Sequence, residues 1–346
     1  MRLAVDAMGG DYAPQEIVAG AVQALSILAP EDRIVLIGQE PRIRQVLAEI
    51  PEWTNDPRLE IVHAADIIEM GDHPIDALRH KKDNSISRMA ELAAEGKADA
   101  VISAGNTGAC VAACQMKIRP LQGVHRPAIA VMIPSFGGPV VLCDCGANPM
   151  PKPHHLHQYA LMASIYVQSL FNMQEKPRVA LLSIGEEEAK GNPLIKQTRT
   201  LIKADPRINF VGYVEGRTIL SGEAQVVVCD GFVGNVVLKL IEGLSDGLSK
   251  MLLQQIGKAD PKLLTMLEPI LREVHKKHDY SEHGGAPLLG VDGICIICHG
   301  SSNRRAMKNA IAAASRLAKS NINERIVEQV NSIKESGPAG CACETT

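Results

Sequence analysis

Short β-rich apolar runs, separated mostly by helix-length segments, confine this chain to a layered α/β fold. The runs are Leu3–Asp6, Ile34–Ile37, Leu59–His63, Ala100–Ser103, Ala128–Ile133, Val140–Asp144, Val179–Leu182, Gln225–Cys229 and Gly293–Cys298. Segments such as Gln15–Leu28, Ser85–Glu95 and His154–Phe171 lie between them, which predicts an open, mostly parallel sheet with helices on both faces. Ala128–Ile133 and Val140–Asp144 are joined only by Pro134–Pro139; this reads as a hairpin and makes the sheet mixed. From Val233 to His278 the strand signal stops. Leu240, Leu244, Leu248, Met251 and Leu252 form one helical stripe, and Leu263, Leu267, Ile270, Leu271 and Val274 a second. With a break at Gly257–Pro261 they predict a protruding antiparallel helical hairpin over 233–278. No repeat or linker divides the chain, so residues 1–335 are expected to form one catalytic α/β domain and 336–346 a frayed tail.

Composition removes several functions. A net charge of -3 argues against nucleic-acid binding by bulk positive charge, and 3% aromatic content limits base stacking. Met1–Asp6 carries no signal-type apolar region, and no stretch approaches the roughly 18 apolar residues of a membrane span. Nine cysteines without a disulfide spacing suit a reducing compartment. These features together predict a cytoplasmic protein.

The chemistry is expected where strands end. Asp6-Ala7-Met8-Gly9-Gly10-Asp11, Ser103-Ala104-Gly105-Asn106-Thr107-Gly108, Asp144-Cys145-Gly146-Ala147-Asn148 and Asp230-Gly231-Phe232-Val233-Gly234-Asn235 repeat one design, as do Gly284-Gly285-Ala286-Pro287 and His299-Gly300-Ser301-Ser302. Each reads as a strand end, then glycine with small polar residues, then a helix start. In a parallel sheet such loops converge at the carboxyl edge, where helix amides favour an anion. Each loop alone could equally be a tight turn. There is no Gly-x-Gly-x-x-Gly after a strand and no Gly-Lys-Ser/Thr loop, so neither a nicotinamide cofactor nor ATP is indicated. A further loop, Gly185–Asn192, carries Lys190, which either clamps an anion or belongs to a solvated charged turn.

Two metal-like patterns are set aside, leaving no cofactor and no metal expected. Cys295-Ile296-Ile297-Cys298-His299 matches a haem-attachment spacing but lies in an apolar run that reads as a buried strand. Cys143 and Cys145, which strand alternation would place on one side, precede His154, His155 and His157 but lack a completing pair.

Taken in order, these loops resemble those of the bacterial phosphate acyltransferases of phospholipid synthesis. The resemblance rests on Asp6–Asp11 with Pro14, Lys81-Lys82-Asp83, Ser103–Ala109, Asp144 with Gly146-Ala147-Asn148, Gly185 with Glu187 and Lys190-Gly191, Asp230–Asn235 and Gly284–Gly290. It runs from residue 1 to about 330, departing at Asn84, where serine is expected, and in the cysteine-containing tail. It implies a fold similar to the isocitrate and isopropylmalate dehydrogenase class, and a homodimer. The implied reaction is transfer of a long-chain acyl group from acyl carrier protein to inorganic phosphate, the acyl phosphate then passing to a membrane glycerol-phosphate acyltransferase. A short-chain phosphotransacetylase and a non-catalytic scaffold at the membrane are the alternatives.

Phosphate is already an anionic nucleophile, and a thiol of pKa about 8.5 leaves readily, so direct attack without an acyl-enzyme is expected. On this reading Gly9, Gly10, Asn106, Thr107 and Gly108 cradle phosphate, with Asp6, Asp11, Asn148 and Asp230 in the same binding loops. Lys190 neutralises charge and Asn235 donates to the carbonyl or phosphate oxygen. His299 is a third catalytic candidate or a turn-capping residue. Basic clusters at Arg79/Lys81/Lys82, Lys276/Lys277 and Arg304/Arg305/Lys308 are candidates for docking the carrier. The hairpin tip around Leu253 and Ile256, flanked by Lys250, Lys258 and Lys262, is a candidate for weak peripheral membrane contact or for packing.

Overall fold

The computed structural model describes residues 1–51, 53, 55–278 and 284–332. The strands are β1 Arg2–Asp6, β2 Arg33–Gly38, β3 Leu59–His63, β4 Ala100–Ser103, β5 Ala128–Ile133, β6 Val140–Cys143, β7 Arg178–Leu182, β8 Asn209–Val214, β9 Val226–Val228, β10 Ala286–Leu289 and β11 Ile294–Ile297. The α-helices are α1 Gln15–Ala24, α2 Glu40–Glu49, α3 Pro74–His80, α4 Ser85–Ala94, α5 Thr107–Ala113, α6 Pro153–Phe171, α7 Pro193–Ala204, α8 Gly231–Ala259, α9 Pro261–His278, α10 Arg304–Ala318 and α11 Ile322–Asn331.

All strands join one sheet in the order β3-β2-β1-β4-β11-β10-β5-β6-β9-β7-β8. β10 is antiparallel to both β11 and β5, and β6 is antiparallel to β5. The parallel blocks β3-β2-β1-β4-β11 and β6-β9-β7-β8 therefore run in opposite directions, with β10 and β5 as the seam between them. The expected β5–β6 hairpin is present. Strand alternation sends Leu3 and Val5 to one core, with α1, α2, α6, α7, α10 and α11, and Ala4 to the other, with α3, α4, α5 and α8. Both faces of the sheet are thus covered, as its uninterrupted apolar runs require. Asn84 is buried and caps α4, its Oδ1 accepting from the Ser87 amide at 2.7 Å, so the departure from serine keeps a capping side chain.

Three expectations need correction. Gly284-Gly285-Ala286-Pro287 leads into strand β10, not a helix; Pro287 disguised a short strand whose ends pair with different neighbours. β8 was not expected because Gly212, at φ +114°, interrupts its apolar run where the register with β7 shifts. Strand β6 ends at Cys143, and Cys143 and Cys145 enter opposite cores, so the pair does not converge on one ion. The tail 336–346 and the side chains of Lys276 and Lys277 lie outside the described residues.

Candidate functional site

A cavity of about 450 Å³ opens over the seam, within the usual range for small-ligand sites. Ile129 and Val131 of β5 supply an apolar floor, with Ala286 and Ile297 beside them. Loops from both blocks form the walls. Residues from both oppositely running blocks reach this one cavity, Thr107 and His299 from the first and Cys145 and Asn235 from the second.

The first wall is built by the loops after β1, β4 and β11. Asp6 is fully buried and accepts from Ser103 Oγ at 2.7 Å and from the Met8 amide at 3.1 Å. Burial raises its carboxyl above the usual range, against the opposing hydrogen bonds from Ser85, Ser103 and Met8. Gly9 and Gly105 pack backbone to backbone over it; a Cβ on Gly9 would lie 2.3 Å from Asp6 Oδ2 and 2.6 Å from the Gly105 nitrogen. Gly10 adopts φ +111° and lets the Asp11 amide reach Gly300 O at 2.7 Å. Asn106 is also framework: Oδ1 caps α5 through the Ala109 amide at 3.0 Å, and Nδ2 donates to Asp72 O at 3.0 Å. Of the loops after β1 and β4, Asp11, Thr107 and Gly108 line the cavity, and the loop after β11 adds Cys298, His299 and Gly300.

The second wall follows β6 and β9. Asp144 accepts from the amides of Ile129, Ala147 and Asn148 at 3.0, 3.1 and 2.7 Å. Its burial moves the carboxyl up to about 6 even so. Asn148 Nδ2 donates to Pro127 O at 2.6 Å, and the Gly231 amide to Asn148 O at 2.9 Å. Asp230 caps α8 through the Val233 amide at 2.9 Å. Asn148 and Asp230 therefore hold the seat of α8 and do not line the cavity, whereas Asn235, in the first turns of that helix, does. A Cβ on Gly146 would lie 3.8 Å from Asn235 Cγ, so the side chain lies against this glycine.

His299 lies between the walls beside two residues that the sequence reading missed. Lys239 Nζ is 2.6 Å from His299 Nε2 and 2.8 Å from Glu242 Oε2. With Lys239 as ammonium donating to Nε2, the neutral imidazole carries its proton on Nδ1 and donates to Ser301 Oγ at 2.7 Å. The alternative, Nδ1 accepting from the Ser301 amide at 3.2 Å, would turn Nε2–H against the ammonium. Lys239 follows Asn235 by one helical turn, and Glu242 by a second; that i, i+4, i+7 polar run in the otherwise apolar stretch 232–244 was the available signal. Cys145 and Cys298 also line the cavity. Burial holds both thiols protonated, raising Cys145 far above its usual range and Cys298 up to about 12.

Lys190 stands elsewhere, exposed on the loop between β7 and α7 and outside the cavity lining. That loop is tied down by Glu188, paired with Arg199. Among the basic clusters, Arg304 is bonded to Glu16 at 2.5 Å and Lys81 to Asp72, while Arg79 and Lys82 are exposed.

The family model described as "Fatty acid synthesis protein" matches residues 1–325. The chain is 44% identical over 340 residues to a phosphate acyltransferase of Dictyoglomus turgidum, covering 97% of this chain and 100% of the relative. It is 47% identical over 333 residues to a phosphate acyltransferase of Desulfitobacterium hafniense, covering 95% and 98%. Among solved structures it resembles a phosphotransacetylase from Streptococcus pyogenes, at TM-score 0.62 and 15% identity over 92% of this chain and 94% of that one. A 4-hydroxythreonine-4-phosphate dehydrogenase from Klebsiella pneumoniae matches at TM-score 0.52 and 13% identity over 92% and 99%. These structural likenesses place the fold with the dehydrogenase-like α/β class. With near full-length identity above 40% to proteins named for the activity, the chain belongs to the phosphate acyltransferase family and is an acyltransferase.

Proposed function

We propose that the enzyme transfers a long-chain acyl group from the thioester of acyl carrier protein to inorganic phosphate by direct attack. The observation that carries this is the pairing, in one cavity, of the Lys239–His299–Asn235 cluster with thiols that burial keeps protonated. Thr107 and Gly108, at the start of α5, bring backbone amides close to an anion in the cavity, while Gly9 and Gly10 shape the loop beside them. Lys239 offsets the charge of phosphate and of the departing thiolate, and Asn235 donates to the carbonyl oxygen as it becomes an oxyanion. His299, held as the Nε2 acceptor, fixes Lys239 in place. The apolar floor accepts the first carbons of the chain. In the test, purified protein is given long-chain acyl carrier protein and phosphate, with acyl phosphate trapped by hydroxylamine. Thiol release that ignores phosphate, or a preference for acetyl-coenzyme A, would overturn the reading; the latter outcome points to a phosphotransacetylase.

Direct attack makes a separate prediction. Cys145→Ser, Cys298→Ser and Ser301→Ala are each expected to keep substantial turnover, measured as hydroxamate formed. An acyl group found on any of the three by peptide mass spectrometry sinks the mechanism.

The apolar stripe of α8 starts beside the cavity and is open to solvent, with Leu240 66%, Leu244 55% and Leu248 45% exposed. Leu263, Met266 and Ile270 of α9 are exposed too. A surface of this kind calls for a partner, and we assign it to a second copy of the chain. Leu244→Glu is expected to shift the protein from dimer to monomer in sedimentation velocity; a wild-type monomer, or a dimer indifferent to the change, refutes the assignment.

At the hairpin tip Leu253 and Ile256 are half-buried, and Gly257 abuts Leu264 of α9. Lys250, Lys258 and Lys262 are exposed around them, which favours an anionic surface by about 1 kcal/mol per lysine. We keep weak membrane contact at this tip as part of the proposal, placing the product near a membrane glycerol-phosphate acyltransferase. Leu253→Glu with Ile256→Glu is expected to abolish co-sedimentation with anionic liposomes while turnover on soluble substrate persists. Unchanged liposome binding would return these side chains to hairpin packing. No helix among the described residues is long and apolar enough to cross a membrane.

A further inference from the structure

Three cysteines far apart in sequence meet in the second core, away from the cavity lining. Cys110 and Cys114 lie one turn apart on the helix that begins as α5, at the point where it widens into a π-turn over Cys114–Ile118. Cys295 faces them from β11. Its Sγ is 3.9 Å from that of Cys110 and 3.5 Å from that of Cys114, and all three sulfurs fall within 4.8 Å of one another. The residues are 0–1% exposed and none is in a disulfide. The proposed mechanism uses none of them.

Sulfurs bound at about 2.3 Å to one pyramidal centre, with bond angles of about 95–100°, stand about 3.4–3.5 Å apart, so the three sulfurs need close in only slightly. The choice of occupant follows from charge. A structural zinc ion takes four donors, and among the described residues this metal-ligating group comprises these three. Three thiolates around a mono- or divalent cation would also leave net negative charge in an apolar core, at a steep desolvation cost. A trivalent metalloid avoids both problems. Arsenite, the neutral acid As(OH)₃, condenses with three thiols to give As(SR)₃ and three waters. Three As–O and three S–H bonds break, three As–S and three O–H bonds form, no oxidation state changes and no charge is buried.

We infer that Cys110, Cys114 and Cys295 form a three-thiol site for a trivalent metalloid oxyacid, and that capture there inhibits the enzyme by tying α5 to β11. The coupling has a short path. α5 begins at Thr107 and Gly108, and β11 runs into Cys298 and His299, all of which line the cavity.

The test uses the full-length chain carrying Cys341→Ser and Cys343→Ser, so that the closely spaced pair in the tail does not compete for the ligand. The reduced protein is incubated with arsenite, desalted, and examined by native mass spectrometry and arsenic-edge X-ray absorption. One arsenic per chain with three sulfur neighbours and no oxygen is expected, bound equally well at mildly acidic and neutral pH because no net proton is released. Cys295→Ala, checked for its fold by circular dichroism, should lose arsenic retention, as should Cys110→Ala, while Cys229→Ala keeps it. Turnover should fall with arsenic occupancy in the parent and not in Cys295→Ala. The arsenite-free rate of the parent separately tests the proposed reaction. No retention, retention in Cys295→Ala, an oxygen in the arsenic shell, or full turnover at full occupancy overturns the inference.

Discussion

Lys239→Ala is expected to lower turnover by about 10²–10³-fold, the usual loss when a group that stabilises transition-state charge is removed. Asn235→Ala should fall in the same range. Lys239 lies 2.6 Å from His299 and 2.8 Å from Glu242, so removing its ammonium takes one hydrogen bond from His299 and one ion pair from Glu242. The fold should survive, because Lys239 is exposed on α8 and carries no core packing. Lys190→Ala is expected to cost less, since Lys190 stands outside the cavity on the loop before α7. The measurement is the rate of hydroxamate formation at saturating phosphate, with circular dichroism to confirm folding. Near-normal turnover in Lys239→Ala would remove it from the chemistry. A larger loss in Lys190→Ala than in Lys239→Ala would mean that the 183–192 loop closes over the site during turnover.

The contrast between the two lysines shows what the sequence can and cannot reveal. Strand positions were legible because a strand buried on both faces is a continuous apolar run, and β1 and β4 end where those runs end. The helical hairpin was legible from its periodic leucines. The loops around Gly9, Thr107, Asn148 and Asn235 were legible because one design, glycine beside Asp, Asn or Ser after a strand, recurs along the chain. Which of those polar side chains face the cavity was not legible. Asp6, Asn106, Asn148 and Asp230 have the residue types of a binding site, yet each spends its hydrogen bonds on capping or bracing a loop. Only the path of the chain distinguishes a caging carboxylate from a ligand-facing one. The antiparallel turn from β5 to β6 was legible as a hairpin, but the reversal at β10 was hidden for a related reason: pairing is a long-range choice, and Pro287 masked the strand that carries it. The thiol triad was hidden most completely, since Cys295 lies 181 residues from its nearest partner in the chain, Cys114.

Gly234→Ala is expected to damage both stability and turnover, although glycine inside a helix would ordinarily be improved by alanine. On an open helix face that exchange is worth about 1 kcal/mol in favour of alanine. Here an added Cβ would lie 1.9 Å from Asp144 O and 2.9 Å from Cys229 Sγ. The obstacle is backbone, and Asp144 itself is locked by three amide hydrogen bonds. The start of α8 must therefore move by more than an ångström before the methyl group fits. Overpacking of this kind costs about 1–3 kcal/mol, so the sign of the helix preference is reversed and Tm falls. The same displacement carries Asn235 away from Gly146 and takes Lys239 with it, because both ride on α8. A misplacement of about 1 Å in a catalytic group costs about 10²-fold in rate, and the loss should appear in kcat more than in KM. Gly216→Ala, where an added Cβ meets nothing within 4 Å, supplies the control and should leave both measures unchanged. A Gly234→Ala enzyme as stable and as fast as its parent would mean that α8 slides freely on its seat, and the rigid placement of Asn235 and Lys239 would have to be abandoned.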